Sequence, residues 1–545
     1  MEKVLTAKID GRQMEDDFEI IDAILESRGI TDITDFLRPT EDNLVPFEKM
    51  KGLDEAYSMI DDAIVMGEKF LVHHDIDSDG ASGGAIMTRY LRARGADVKC
   101  SINKGKKHGV SEFDLSLLED IDVMIVIDSI DNDPEVYRRI LDTGVKLCVI
   151  DHHIIEDRLL EANMPFVLVS SANSYPNSEL SGAGCVLKVI QYCDYMNLEN
   201  YVDDLGLWLY AAIGIVSDMC SMKSEENRYI VYRGLSYFKN PMIKKMVGNY
   251  LFDSTSIAFS IAPLINAAMR TGNNETAMHV FHTDDEDEIN ELVNQMKGYR
   301  EFQNKVVDEL MEGLMVQAET QMDRKCMFFM LPDEIDAEVS GLLGNKILSI
   351  VQRPLCILRN VTETDENGEV IKHELSGSMR ACGVTSFKEY IENTGYGWVA
   401  GHENAAGVGF DINEFEDFKV AIEELLKDVE FSTTVVADIE LSPSQINDNL
   451  VKQLSALSRI SGKDFPAIKV LVRTDDYEVS TFSTKKHLKI IDDKTGMLIV
   501  KWNCMDWKTM DNKGEIVAVG TLSRPFYGRY PYLQLTIDEY TQQND

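Results

Sequence analysis

Between residues 51 and 153 the sequence alternates short apolar runs with amphipathic ones, and this alternation limits the possible folds more than any other feature of the chain. The strand-like runs are FLVHH, DVKCSI, DVMIVID and VKLCVIDHH. The helical ones are LDEAYSMIDDAIVMG, SGGAIMTRYLRARG, SEFDLSLLED and PEVYRRILDTG. Short apolar strands separated by amphipathic helices imply an α/β fold with a doubly wound parallel sheet. In such a sheet ligands sit at the carboxyl ends of the strands. Three of the strands end in ligand-type residues: His73, His74, Asp75, Asp77 and Asp79 before Gly80; Asp128; and Asp151, His152 and His153. One strand followed by Asp is weak evidence, because Asp is an ordinary turn residue. Three in succession, two of them with imidazoles, point to a metal site. A fourth candidate is Asp218, which ends the apolar helical run LGLWLYAAIGIVSDM, where a carboxylate needs a cation or hydrogen-bond donors to offset its desolvation.

Charge narrows the function classes. Lys and Arg number 54 against 93 Asp and Glu, a formal charge of 54 − 93 = −39. Such a chain repels nucleic acid at long range unless positive charge is concentrated locally or metal ions supply it. That argues against a nonspecific DNA coat protein but not against a nuclease, because a carboxylate-rich site is acidic until its ions bind. At 44% hydrophobic and 27% charged residues the composition is that of an ordinary globular protein, long enough for roughly three or four domains. No apolar run approaches the ~18 to 20 residues needed to cross a bilayer. The start, MEKVLTAKIDGRQMEDD, lacks the order of a signal peptide, so a cytoplasmic location without a membrane partner is expected. Nine cysteines without a CxxC pair read as reduced, buried thiols.

Along the chain, residues 1–50 show short helical patterns such as IIDAILESRGI and read as a helical segment packed on the first domain, 51–285. Within that domain, seven basic residues between Arg89 and Lys107 face one acid, Asp97, which makes the loop with Lys104 and Lys106 a candidate phosphate-backbone contact. From Glu286 to Met322, apolar residues at spacings of three and four predict one long connecting helix. A second α/β unit follows over 323–430, with strands CMFFML and PLCILRN around the helical DAEVSGLLGNKILSIV. Its glycine-rich AGHENAAGVGF would let backbone amides approach an anion, with His402 adding a hydrogen bond or a charge. Ser378 and Arg380 nearby would complete a phosphate clamp. From 431 to 545 several short strands and one helix, around NDNLVKQLSALSRI, predict a small barrel. Its basic residues, among them Lys485, Lys486 and Lys489, and the late aromatics Phe526, Tyr527 and Tyr530 suit a groove for single-stranded nucleic acid, the alternative being core aromatics and a solvated basic face.

The set HHDIDSDG, the strand ending at Asp128, Asp151-His152-His153 and Asp218 resembles the four motifs of the DHH phosphoesterase superfamily. IAPLINAAMRTG, GSMRA and AGHENAAG are similar to segments of one branch, the RecJ single-strand-specific exonucleases, and the similarity runs over nearly the whole chain. Three departures stand out: His74, Met269 and Ala400 each occupy a position where that branch usually carries glycine. None removes a metal ligand; they bear on the shape of the pocket.

The resemblance implies two divalent ions, Mn2+ preferred and Mg2+ accepted. One would be held by His73, Asp77 and Asp128, the other by Asp79, Asp128, His152 and Asp218. Asp75 and Asp151 would orient ligands, and His153 would contact the scissile phosphate or protonate the leaving oxygen. Arg270, Ser378 and Arg380 would grip a terminal or flanking phosphate. The implied activity is 5' to 3' hydrolysis of single-stranded DNA to 5'-mononucleotides in repair, recombination or replication. A DHH-associated domain at 323–430 would grip the substrate, and the barrel at 431–545 would be an OB-fold. Single-stranded DNA is the expected partner of a monomer, with a single-strand-binding protein or a helicase as further candidates. Two alternatives stay open: a phosphodiesterase of very short oligonucleotides or signalling nucleotides, and a non-catalytic replication scaffold.

Overall fold

A computed structural model describes residues 4–103, 108–333, 335, 339–364, 370–431, 434–482, 487–502, 504, 510, 513–527 and 530–543. The chain divides into two compact units, 5–299 with 435–545, and 300–434 with 1–4. The division falls within a single helix, Glu286–Glu319, whose 34 residues occupy most of the span expected to be helical.

The chain opens with a strand, β1 (Val4–Asp10), in which Leu5 is buried and the residues on either side of it are exposed. The period of two in VLTAKID accounts for it, although helical patterns alone were expected before residue 51. The alternating region then builds a five-stranded parallel sheet from β2 (Lys69–His74), β3 (Asp97–Ile102), β4 (Val123–Ile127), β5 (Lys146–Asp151) and β6 (Val167–Ser170). Its order is β3-β2-β4-β5-β6. The chain therefore leaves β2 for one neighbour and returns on the other side, which places a topological switch point between β2 and β4. Register aligns the strand ends: His74 pairs with Ile127, and Ile127 with Ile150, so Asp75, Asp128 and Asp151 emerge side by side. Helices Ser78–Ala93 and Gly182–Asn197 pack on this sheet, and the fully buried helix Leu207–Ser217 packs on them. Among the described residues the crossover from β3 to β4 holds a single 3-10 turn, Leu115–Leu118, where a helix was expected.

In the second unit β7 (Met327–Met330), β8 (Leu355–Thr364), β9 (Val370–Arg380), β10 (Trp398–His402) and β11 (Ala405–Asp411) form a sheet of order β10-β11-β9-β8-β7. All neighbours are antiparallel except β7 and β8. Phe328, Phe410, Phe415 and Phe418 stack in its core.

The C-terminal strands are β12 (Thr434–Leu441), β13 (Val470–Thr474), β14 (Tyr477–Phe482), β15 (His487–Asp492), β16 (Leu498–Lys501), β17 (Glu515–Ser523), the two-residue pair β18 (Phe526–Tyr527) and β19 (Tyr530–Pro531), and β20 (Gln534–Gln543). Apart from the β18-β19 ribbon they join β1 in an eight-stranded sheet of order β1-β12-β13-β17-β20-β16-β15-β14. Among the described residues this sheet is open, with β1 and β14 at its edges, and the expected closed barrel is not formed. β1 extends the sheet at the outer edge of β12, so that the N-terminal strand is one of its two edges. The N-terminal helices are tied to the same sheet through a buried ion pair, in which Arg28 donates to both carboxylate oxygens of Asp438 at 3.1 and 2.7 Å. All nine cysteines are free, and no described helix is long and apolar enough to cross a membrane.

Candidate metal centre

Period two in β2 sends His73 and His74 to opposite faces of the sheet. His74 is buried against helix Ser78–Ala93, with Nδ1 bonded to the Asp75 carbonyl at 2.7 Å. It fits only because residue 84 is glycine: a Cβ there would lie 2.3 Å from the imidazole. The histidine that departs from the family pattern therefore fills the layer between sheet and helix. His73 lies on the other face, edge-on to Phe113, with Nδ1 2.9 Å from Ser101 Oγ and Nε2 2.9 Å from Asn103 Oδ1. Both of its ring nitrogens are thus engaged, and burial holds its pKa down at about 4 despite the Asn103 bond.

The acidic turn after β2 divides by backbone geometry. Asp77 caps helix Ser78–Ala93, accepting from the amides of Asp79 and Gly80 at 3.0 Å. Asp79, in the first turn of that helix, accepts from Gly182 and Ala183 at 2.7 and 3.0 Å, the first amides of helix Gly182–Asn197. A helix N-terminus favours a carboxylate. Close approach is permitted by Gly214, where a Cβ would fall 2.2 Å from Asp79 Oδ1. Asp128 ends β4 in the left-handed region, φ 53°, a conformation that non-glycine residues hold only when their surroundings impose it. Asp218 closes helix Leu207–Ser217.

Among the described residues four groups of ligand-type atoms form here: Asp75 with Asp77 and Asp128, Asp79 with His152 and Asp218, Asp128 with His152 and His153, and Asp151 with His153 and His108. His152 Nε2 links the first two, 3.2 Å from Asp128 Oδ1, 3.8 Å from Asp79 Oδ2 and 3.7 Å from Asp218 Oδ2. Asp128 Oδ1 and His152 Nε2 are both buried, and neither has a hydrogen-bond partner. Two orphaned donor atoms facing one another among carboxylates fit a cation, and the mixed imidazole and carboxylate set suits a divalent one. Electrostatics agree. Burial, and after it the charges of Asp75 and Asp79, push Asp77 up to about 7, and burial with Asp79 and Asp77 raises Asp128 well above the carboxylate range.

Asp151 sits behind the cluster. Its Oδ1 accepts from the amides of His152 and His153 at 2.6 and 2.8 Å and lies 2.9 Å from His153 Nδ1, while Oδ2 accepts from Ile130 at 2.7 Å. Burial works against the charged imidazole of His153, but the bond to Asp151 prevails and raises its pKa to about 9. Two further residues complete the surroundings: Asn103, which was not anticipated from the sequence, and His108, the last residue of the basic loop Lys104 to His108 read as a phosphate contact. Asn103 bridges His73, Asp75 and Ser129; His108 Nδ1 is 3.0 Å from Asp75 Oδ2; and its ring lies 4.2 Å from that of His153. Asn103 was detectable in principle: Ile102 pairs with His74, so Asn103 follows β3 at the level where Asp75 follows β2.

Arg270 ends helix Ala262–Arg270. One turn earlier Asn266 accepts from Ser78 Oγ at 3.0 Å, so the helix face carrying Arg270 touches the first acidic turn. In the other unit Ser378 Oγ is 2.8 Å from Ser340 Oγ, and Arg380 donates to Asn345 Oδ1 at 2.7 Å. Gly341 and Gly344 leave room for the Arg380 side chain, which a Cβ at either would meet within 3 Å. His402 is exposed at the end of β10. The glycine-rich run around it is the β10-β11 hairpin, and Gly409 lies beneath Trp398, whose Nε1 would be 2.2 Å from a Cβ. Lys489 is half-buried on β15. Lys104, Lys106, Lys485 and Lys486 lie outside the described residues, as do the side chains of Phe526, Tyr527 and Tyr530. Other basic residues of the same regions are paired: Arg89 with Asp284, Arg94 with Asp61, Lys469 with Asp538, and Arg473 with Glu440 and Glu515.

Comparison with known proteins agrees with this geometry. Residues 69–213 match the N-terminal domain model of the DHH family. A putative SPbeta prophage-derived single-strand DNA-specific exonuclease, YorK of Bacillus subtilis, is 25% identical over 499 residues, covering 85% of this chain and 84% of that protein. The single-stranded-DNA-specific exonuclease RecJ of Thermus thermophilus is 28% identical over 391 residues, which is 69% of this chain and 54% of the relative. The crystal structure of RecJ from Thermus thermophilus in complex with Mn2+ superposes with a TM-score of 0.78 at 22% identity, covering 99% of this chain and 80% of the other. A second structure of that protein, in complex with Mg2+, gives 0.73. Residues 69–213 thus carry a DHH-family N-terminal domain, and over nearly its whole length the chain has the fold of RecJ and is similar in sequence to RecJ-type exonucleases.

Proposed function

We propose that this protein is a metal-dependent exonuclease that hydrolyses single-stranded DNA from the 5' end to 5'-mononucleotides, in DNA repair, recombination or replication. The observation that carries the reading is the buried, unpaired pair Asp128 Oδ1 and His152 Nε2, set between two groups of carboxylates. Two divalent ions at such a site would activate a water and stabilise the charge that develops on the phosphate. His73, Asp77 and Asp128 would hold one, and Asp79, Asp128, His152 and Asp218 the other, with Mn2+ preferred. In the first set His73 has to give up Asn103, or Asp75 takes its place; metal titration of His73→Ala against Asp75→Asn separates the two.

The remaining roles belong to the protein's own groups. Asp151 orients His153 through Nδ1 and leaves Nε2 for the scissile phosphate or the leaving oxygen. Arg270 in one unit would contact a phosphate of the strand, and Ser378 and Arg380 in the other would hold a terminal or flanking phosphate, which would favour cutting from an end. The C-terminal strands act as an OB-fold-like surface for the strand, with Lys485, Lys486, Lys489, Phe526, Tyr527 and Tyr530 as contacts, and Lys104, Lys106 and His402 touch phosphates. The protein would work in the cytoplasm as a monomer.

Single-stranded DNA labelled at the 5' or the 3' end tests the reading. With Mn2+ the 5' label is released first as a mononucleotide, and EDTA abolishes release. First release of the 3' label, or equal release with EDTA, would overturn it.

A further inference from the structure

In a chain at −39, residues 227–252 contain five cations and no acid. Arg228 is buried and Arg233 is paired with Asp203, which leaves Lys239, Lys244 and Lys245. Of these, Lys244 lines a groove of about 490 Å³ together with Phe238, Ile243, Val247, Tyr250, Leu251, Phe252 and Arg459, and Lys239 and Lys245 are its neighbours in the chain. Ile243, Val247 and Phe252 form its buried floor, whereas Phe238 is 53%, Tyr250 80% and Leu251 66% exposed. Lys239 Nζ stands 5.8 Å from the Phe238 ring centroid. Asp253, the first acid after the stretch, is turned away to cap the following helical turn, accepting from Ser256 at 2.7 Å.

We propose that this groove is a second contact for single-stranded nucleic acid, holding the part of the strand on the 3' side of the scissile bond; the inference rests on the function proposed above. Exposed rings beside lysines match what a single strand offers, since bases stack on aromatic faces irrespective of sequence and phosphates satisfy the cations. An acidic peptide would meet the same lysines, but the polymer already bound by this unit reaches the groove without a second partner. Helix Leu207–Ser217 connects the two places. Gly206, before its first residue, packs against Tyr237, with 2.9 Å from a Cβ to that ring, and Asp218 closes its other end in the metal cluster. Its eleven residues at ~1.5 Å each span about 16 Å. A stacked strand rises ~3.4 Å per nucleotide, so the groove would hold the strand roughly five nucleotides from the scissile bond.

The test uses the full chain. With EDTA present, anisotropy of fluorescein-labelled dT20 should show Phe238→Ala/Tyr250→Ala binding at least about tenfold more weakly than the parent. Lys244→Glu/Lys245→Glu should also bind more weakly, with the slope of log K against log salt flattened by about one. With Mn2+, both variants should hydrolyse the dinucleotide pdTpdT within about twofold of the parent rate, because a dinucleotide cannot reach the groove. If both variants bind dT20 as the parent does while the parent degrades strands normally, the groove proposal alone falls. If they lose binding only to a synthetic Asp- and Phe-rich peptide, the groove belongs to a protein partner and the proposal is overturned. A parent protein that neither binds nor cuts single strands overturns both this inference and the proposed function.

Discussion

The parallel sheet and the largely antiparallel sheet of the second unit carry candidate site residues in opposite ways. In the parallel sheet β2–β6 the functional groups lie at or just beyond the strand ends, brought level by register, and two of them, Asp128 and His152, carry a buried polar atom without a hydrogen-bond partner. In the largely antiparallel sheet β7–β11, Ser378 and Arg380 lie within β9 itself and are held by Ser340 and Asn345. The first arrangement collects unlike strand ends around a shared centre, as chemistry with a cation requires. The second fixes individual side chains, as recognition of a fixed anion requires. Substitutions should separate accordingly: at the strand ends they should act on metal binding and rate, and in β9 on substrate affinity.

The strongest break of this contrast is Asp128→Ala. It should lower the initial rate on labelled single-stranded DNA by about 10³-fold or more, while strand binding in EDTA stays within a few-fold of the parent. Retained activity would remove Asp128 from the centre of the site. Asp151→Asn tests the layer behind it, with an expected loss of roughly 10- to 100-fold in metal affinity or rate. In the same variant the NMR titration of His153 should drop from about 9 toward the ordinary histidine range, since the bond to Asp151 is what raises it. An unmoved titration would mean that another group holds His153. In β9, Arg380→Lys should raise KM about tenfold with kcat nearly unchanged, because lysine cannot reproduce the guanidinium fork. A fall in kcat alone would erase the distinction between the sheets.

The smallest effect is on stability. Asp77 is raised to about 7 in the metal-free protein, so the folded state holds a proton that the unfolded state releases near pH 4. Folding stability is therefore lost as pH rises from about 4 to 7, and bound metal should restore it. The difference in Tm between Mn2+-loaded and EDTA-treated protein should widen by a few degrees between pH 5 and pH 7.5. A constant difference would show that the carboxylates are not crowded as described.

Much of the parallel sheet was legible because period and punctuation are local properties. Apolar runs ending in Asp or His place a polar group at a strand end, and so the positions of Asp75, Asp128 and Asp151 to His153 at neighbouring strand ends could be read directly, although their roles could not. Less local features were not legible. β1 hides in a segment whose neighbours are helical, and its pairing with β12 depends on a partner more than 400 residues away. The same pairing makes an N-terminal segment part of the sheet expected from residues 431–545 alone. The glycines of AGHENAAGVGF suit an anion loop as sequence, yet in the fold they make room for Trp398 within a hairpin.

For the site itself, the sequence determined which chemistry is available: carboxylates and imidazoles at successive strand ends, with Asp218 closing an apolar helix. Only the tertiary structure decided the grouping. It turned His73 toward Ser101 and Asn103, buried His74 over Gly84, brought Asp75 level with Asp77 and Asp128, and set Asp128 Oδ1 against His152 Nε2 without a partner. The physical reason is that side-chain direction at a strand end depends on register and on the helices packed against it, and both come from residues distant in the chain.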